Sequence, residues 1–384
     1  MRKVLFLAVV LTSILCYTSC IFVKKDEFDA PKRNIIDTSS VLNYQIDSIM
    51  LPIPSFSGSG FFRIENDKIL FFDDSFLQIS VFGQKGNFLD YKLGMGSGDT
   101  EINAFRFYIP TKNQNIFLQT DYEFKIYDKT WKNTGKSFKW NWLDRASVIN
   151  APSPDNPNMY DINWQTPDRG NKDFPVNSRG DIYFPVHIIG GVSKQINKFT
   201  SIFYEKGNPI GVIDSKTGTL KQVFGRYPKI YTEKKYLTLF SYNSMAIKND
   251  SLFVQYAASP EIYVYSPDHE PVYSFGTAGK GISTNYPLIS NENEYANQKE
   301  LNIPAYGIYT ALYIDAEKNL IFRTYTKQYS LNSGLQIYRN DVLIADITVP
   351  YKFNIVGKIG STYFADGIID KKGGKLGIYK LDLK

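Results

Sequence analysis

A short unit of four strands, met first at residues 61–98 and repeated down the chain, constrains this sequence more than any other feature. The segment reads FFRIENDKILFFDDSFLQISVFGQKGNFLDYKLGMGSG. Its strands are FFRIE, KILFF, LQISVF and NFLDYKL, and the breaks are Asn66-Asp67, Asp73-Asp74 and Gly83-Gln84-Lys85-Gly86. Short apolar runs bounded by Asn, Asp and Gly read as hairpin strands, and aromatic and β-branched side chains suit pleated, half-buried surfaces. The 28 tyrosines and 27 phenylalanines extend that character along the chain. No long amphipathic helix is visible; residues 295–301 (YANQKEL) suffice for a turn or two.

The repeat is clearest in its third strand and the turn that follows. The copies are residues 79–82 (ISVF), 124–127 (FKIY), 210–213 (IGVI), 262–265 (IYVY), 335–338 (LQIY) and 376–379 (LGIY). Five of the six run into a polar turn. Equivalent positions lie 45, 86, 52, 73 and 41 residues apart. The short spacings match a four-stranded propeller blade of about 40–50 residues, and the long ones imply insertions. The expected fold is therefore all-β, a six-bladed β-propeller over residues 37–384, with blades at 60–93, 105–140, 173–225, 239–276, 307–349 and 351–384. The last blade has only three strands, so the strand expected within residues 41–51 fills its fourth place. That pairing closes the ring and leaves only short, protected edges.

The first 19 residues do not belong to this fold. Arg2 and Lys3 precede an apolar run at 4–15, and Thr18-Ser19-Cys20 follows. This is the pattern of a secretory signal peptide, too short and wrongly flanked for a spanning helix. Cys20 stands where a bacterial lipoprotein is cleaved and acylated, although Tyr17 occupies a place where Leu is usual. The expectation is a cell-envelope protein held on a membrane, in the first place the outer membrane, by lipid on Cys20, with residues 20–36 as a solvated tether. Without residues 1–19 the chain carries 42 basic and 38 acidic residues, a net charge of +4 spread along its length. A nucleic-acid binder concentrates positive charge instead, so no nucleic-acid partner is expected. No cysteine follows Cys20, and His187 and His269 are the two histidines. An internal disulfide, Cys-ligated zinc and a multi-histidine metal site are thereby excluded from the processed chain, and no cofactor is expected.

The run ISVFGQKGNFLDYKLGMGSG resembles the repeat of six-bladed propellers of the NHL type: strand, polar turn, Gly, strand, Gly-rich exit. Behind a lipoprotein signal, the chain is similar to the six-bladed propeller lipoproteins of unknown function found in Bacteroidota. The resemblance spans residues 40–384 and implies the fold; it carries over no catalytic residue. The Gly-rich exit is clear after blade one (Gly94, Gly96, Gly98) and partial after blade four (Gly276, Gly279, Gly281), while the other blades depart from it.

Motifs with chemical meaning are few. Residues 94–98 lack the Lys and Ser/Thr of a phosphate loop and open no helix, so they read as a turn between blades. Asn291-Glu292-Asn293-Glu294 lacks the glycine and final glutamate of a calcium loop and reads as solvated. Asp73-Asp74 reads as turn chemistry, and His187 as a packed or channel-lining residue of a strand. The insertion 143–172 is richer: Arg145, Tyr160, Trp164 and Arg169 lie among prolines, just after Trp140 and Trp142. Its rings either pack the loop onto the propeller or form a stacking platform for a sugar or peptide. In a blade, connections from strand two to three and from strand four to the next blade leave by one face. Insertions 143–172, 190–208, 277–305 and 326–333 all occupy such positions. The expected ligand surface is that face, built around Trp142, Arg145, Tyr160, Trp164, Arg169, Tyr204, Tyr286 and Tyr295. The function expected is a binding or scaffold module for a protein or glycan partner. The alternative is a propeller lyase or hydrolase acting on carbohydrate or peptide, its groups drawn from different blades.

Overall fold

The computed structural model describes residues 28, 30–33, 36, 42–104, 106–118, 123–139, 160–162, 174–188, 201–233, 237, 240–286, 291, 293–294, 305–370 and 372–384. Two strands, β1 (Lys32–Arg33) and β2 (Tyr44–Met50), precede the blades. Blade one is β3 (Gly60–Glu65), β4 (Lys68–Asp73), β5 (Gln78–Phe82) and β6 (Phe88–Lys92). Blade two is β7 (Phe107–Pro110), β8 (Asn115–Leu118), β9 (Glu123–Tyr127) and β10 (Asn133–Lys139). Blade three is β11 (Tyr160–Ile162), β12 (Asp181–Ile188), β13 (Ile210–Asp214) and β14 (Leu220–Phe224), with helix α1 (Ser201–Lys206) between β12 and β13. Helix α2 (Lys229–Glu233) leads to blade four: β15 (Asn243–Lys248), β16 (Ser251–Tyr256), β17 (Ile262–Tyr265) and β18 (Pro271–Phe275). Blade five is β19 (Tyr309–Asp315), β20 (Leu320–Thr326), β21 (Asn332–Arg339) and β22 (Val342–Pro350). Blade six is β23 (Ile355–Ile359), β24 (Thr362–Asp370), β25 (Lys375–Leu383) and, at its outer edge, β2.

The sheets are antiparallel meanders whose first strands surround a common axis; β15, β19, β23 and β3 are neighbours there. The six repeated segments read from the sequence are the third strands β5, β9, β13, β17, β21 and β25. Hairpin chemistry builds the units. Asn66-Asp67, Asn249-Asp250 and Asn340-Asp341 each hold two successive left-handed residues, the backbone a two-residue hairpin requires. A blade is sandwiched between two others, so its inner strands bury both faces. Phe61, Phe62, Phe71 and Phe72 are all fully buried, whereas Phe88, Leu89 and Asp90 of outer β6 are exposed. This is why KILFF shows a continuous apolar run rather than alternation.

Ring closure is as expected from the sequence. β2 pairs antiparallel with β25 from Tyr44 opposite Leu383 to Met50 opposite Gly377. The chain ends thus complete one sheet.

Two boundaries differ from the expectation. Blade three starts at Tyr160, because β11 pairs with the far end of β12, Tyr160 opposite Ile188. Val176 then bridges Ile182 near the other end of β12, and Tyr183 N–H donates to the Pro175 carbonyl (3.0 Å). The innermost strand of this blade is therefore in two halves, and the segment read as one insertion, 143–172, is divided by a strand. The second difference lies at the N-terminus. The stretch expected to be a solvated tether carries β1, which pairs in parallel with β18 and adds a fifth strand to blade four. Phe28 packs edge-on against Tyr263 and Tyr265 at ring distances of 4.7 and 5.3 Å. Lys32 forms an ion pair with Glu261, and the Arg33 guanidinium lies 3.9 Å from the Tyr273 ring centre. Ile36 bridges Leu343 of blade five. β1, Ile36 and β2 thus pair with the outer strands of blades four, five and six in turn, covering edges that would otherwise be open to pairing.

Candidate functional site

The face that carries the long connections rests on a floor of buried rings. Tyr204 of α1 stacks on Tyr231 of α2 (5.8 Å between ring centres, 22° between planes). Tyr231 donates its hydroxyl hydrogen bond to the Phe240 carbonyl (2.6 Å), and Phe240 packs on Tyr286 at 4.8 Å. These residues belong to three connections: β12 to β13, β14 to β15 and β18 to β19. Contact among them joins the three on one face. Tyr160 accepts hydrogen bonds from the backbone N–H and side-chain amide of Asn208 (3.1 and 3.2 Å), and Arg226 bonds the Asn208 side-chain oxygen. Tyr256 donates to the Arg226 carbonyl (3.0 Å). Burial pushes the hydroxyls of Tyr231, Tyr256 and Tyr286 well up, so they are neutral donors at physiological pH.

This places three of the residues expected to meet a ligand. Tyr160, Tyr204 and Tyr286 are at most 3% exposed. Their rings support the connections from below and offer no open stacking face in this structure. Trp142, Arg145, Trp164, Arg169 and Tyr295 lie outside the described residues.

The other motifs have local explanations. In the Gly-rich loop, Glu101 folds back so that its carboxylate accepts from Gly98 N–H (2.7 Å), and a Cβ at Gly96 would lie 2.1 Å from its oxygen. The loop wraps an anion of its own chain. Asp73 accepts from Ser57, Ser75 and Phe76 N–H groups (2.7, 3.1 and 2.8 Å), which is turn chemistry. Asn291 accepts from Glu294 N–H and donates to its carboxylate. His187 is half-buried in β12 opposite Asp161. His269 stacks on Phe224 at 4.3 Å with Nε2 3.1 Å from the Tyr183 hydroxyl; burial and nearby Arg179 push its imidazole down, so it is neutral at pH 7. Among the described residues no three His, Cys, Asp or Glu side chains cluster as metal ligands.

On the opposite face, a cleft of about 320 Å³ opens between blades one and two. Its walls are the β3–β4 hairpin with Glu65 and Asn66, and the β9–β10 turn with Lys129, Thr130 and Trp131. Leu70 and Val81 line it as well, and Lys68 and Lys92 contribute their side chains. Glu65 accepts from the Tyr108 hydroxyl (2.6 Å) and from Lys129 (2.9 Å), so both carboxylate oxygens are engaged. Lys92 pairs with exposed Asp90 (2.6 Å). Trp131 closes its turn with a left-handed backbone, φ 70°. The same closing position is Gly86 in blade one, Gly218 in blade three and His269 in blade four. Blade two thus holds an indole where glycine is conformationally cheaper by about 1 kcal/mol or more. The indole wedges against Tyr108 (5.7 Å, stacked) and Phe72 (6.2 Å). Sequence reading missed this cleft. Asp128-Lys129-Thr130-Trp131 reads as an ordinary polar turn, and nothing local shows which turn of the preceding blade it meets.

No family model and no curated protein matches the chain. Solved structures do resemble it. A duf4221 family member from Bacteroides vulgatus superposes with a TM-score of 0.61 at 13% identity, over 90% of this chain and 98% of that one. A Bacteroides fragilis protein named as exported gives a TM-score of 0.52 at 12% identity, over 92% and 99% of the two chains. At these identities the likeness is one of fold: this chain is a six-bladed propeller similar to propellers of Bacteroides.

Proposed function

We propose that the protein is a lipid-anchored binding module of the cell envelope, exported through its N-terminal signal and held by acylated Cys20. In this reading the propeller is a rigid disc whose long-loop face recruits a protein or glycan partner. The observation that carries it is the contact chain from Tyr204 through Tyr231 and Phe240 to Tyr286. That chain fixes three long connections to one another on a buried base. Loops held on a rigid scaffold are where recognition concentrates. The export name of the Bacteroides fragilis neighbour supports the envelope address, and several acyl chains at roughly 0.8 kcal/mol per buried CH₂ would anchor firmly.

Two measurements test the proposal. Cys20→Ala should leave the protein unprocessed or release it into the soluble fraction; normal processing with retention on the membrane would end the anchoring claim. Trp164→Ala with Arg169→Ala should abolish capture of a partner identified by pull-down with wild type, with the melting temperature nearly unchanged. Full capture by that variant would remove Trp164 and Arg169 from recognition.

A further inference from the structure

The cleft between blades one and two lies on the face away from the long connections, and its chemistry is independent of theirs. Three lysines, Lys68, Lys92 and Lys129, line it together with one carboxylate, Glu65. Glu65 is occupied on both oxygens by Tyr108 and Lys129, so its charge is held against the wall. Lys92 is shared with Asp90, which is itself 56% exposed on the rim. Lys68 has an exposed side chain with no side-chain hydrogen bond or ion pair among the described residues, and, after the hydrogen bond from Lys92, its charge helps to hold the Asp90 carboxyl down. Thr130 lines the cleft beside it, and its hydroxyl donates to Asp128 (2.7 Å). Leu70 and Val81 (each 4% exposed) and the edge of Trp131 (9% exposed) supply a small apolar surface. A pocket of this volume, partly apolar with a few convergent polar groups, falls in the size range of small-molecule sites. The excess positive charge selects an anion, and the aromatic and aliphatic walls select one attached to a ring.

We propose that this cleft binds a single carboxylated sugar unit, a uronic acid residue of an acidic saccharide. The carboxylate sits on Lys68 with Lys92 beside it, and the sugar ring lies along Trp131 and the Leu70–Val81 wall. Trp131 keeps its left-handed backbone because its indole both wedges the two blades and furnishes that wall. Binding is electrostatic in large part, so it weakens with added salt.

The test is a calorimetric or saturation-transfer titration of the intact processed protein, at low ionic strength, with sodium glucuronate, glucose and sodium sulfate. Glucuronate should bind saturably, and glucose and sulfate at least tenfold more weakly. Lys68→Ala should weaken glucuronate at least tenfold without changing the melting temperature, and Lys92→Ala should weaken it several-fold. Lys216→Ala, on an exposed turn of blade three, should bind as wild type does. Failure of glucuronate to saturate would overturn the proposal. So would sulfate binding as tightly as glucuronate, since the ring would then contribute nothing, or unchanged affinity in Lys68→Ala. None of these outcomes bears on the long-loop face.

Discussion

Asp315 shows how one side chain ties two blades together. It ends the innermost strand of blade five, with its side chain 1% exposed, and accepts from Tyr363 (2.7 Å) and Lys358 (3.0 Å) of blade six. Burial alone would push its carboxyl up, but the hydrogen bonds from Tyr363, Lys358 and the Lys318 backbone outweigh that and hold it below the ordinary range. A depressed carboxyl stabilises the fold above its unfolded value, near pH 4, and loses that contribution as the pH falls below it. Asp315→Asn should therefore cost about 1.5–3 kcal/mol at pH 7. The gap between variant and wild type in urea melts should narrow as the pH drops towards 3; a gap independent of pH would show that the charge is not what matters. Arg323 plays a related part without a carboxylate. Fully buried, it donates to the carbonyls of Pro260 (2.8 Å) and Thr277 (3.4 Å), with its guanidinium 3.6 Å from the Tyr309 ring centre. A Cβ at Gly276 would come within 2.8 Å of that guanidinium, and the glycine holds φ 116°. The glycine read as part of a Gly-rich exit is thus required by a charge from the next blade.

At the scale of elements, β2 is the clearest case of a segment whose role depends on the far end of the chain. Its half-buried positions, Ile46 and Ile49, lie three apart and so on opposite faces of the strand, and little in it alone would hold it in place. Seven paired residues against β25 do so. Deleting residues 36–52 removes that ladder and bares the edge of β25, so the variant should aggregate or melt at lower temperature. A deletion that melts like wild type would mean that the ring does not need its closing strand. The blades, the third-strand repeat and this closure were legible because they rest on local signals: strand periodicity, Asn-Asp and Gly turns, and a count that left one strand missing. The split inner strand of blade three was not. YDI is only three residues long, and β11 exists because Ile188 and Val186 lie opposite it. The rim strand β1 was illegible for a similar reason. Lys32 and Arg33 read as solvated charges, whereas Glu261 and Tyr273, more than 200 positions away, lie against them in the fold. The candidate cleft fails the same way, since Lys68 and Trp131 are brought together by blade packing rather than by spacing.

The whole molecule is stabilised by an unusual stock of buried phenols. Burial pushes Tyr127 up to about 12 and holds Tyr231, Tyr256 and Tyr263 well above the ordinary range. Groups with raised values stabilise the fold fully below their unfolded value, near pH 10, and lose that contribution as the pH rises through it. The melting temperature should hold from neutral pH to about 9 and fall steeply above 10, with the buried tyrosines ionising only as the fold is lost. Ionisation of all 28 tyrosines near pH 10 with the near-ultraviolet dichroism intact would contradict this. The rim segment has a mechanical consequence of its own. From Cys20 to the start of β2 at Tyr44 is 24 residue steps, a contour of about 80 Å at roughly 3.4 Å per residue. Phe28 and β1 are both seated on blade four, so 8 residue steps separate Cys20 from the first seated side chain, about a third of that reach. A pull on the N-terminus would meet the Phe28 packing and the two-residue pairing of β1 before the seven-residue ladder of β2. If Cys20 is acylated as proposed, load on the anchor would therefore fall on a short, peripheral pairing before it reached the strand that closes the ring.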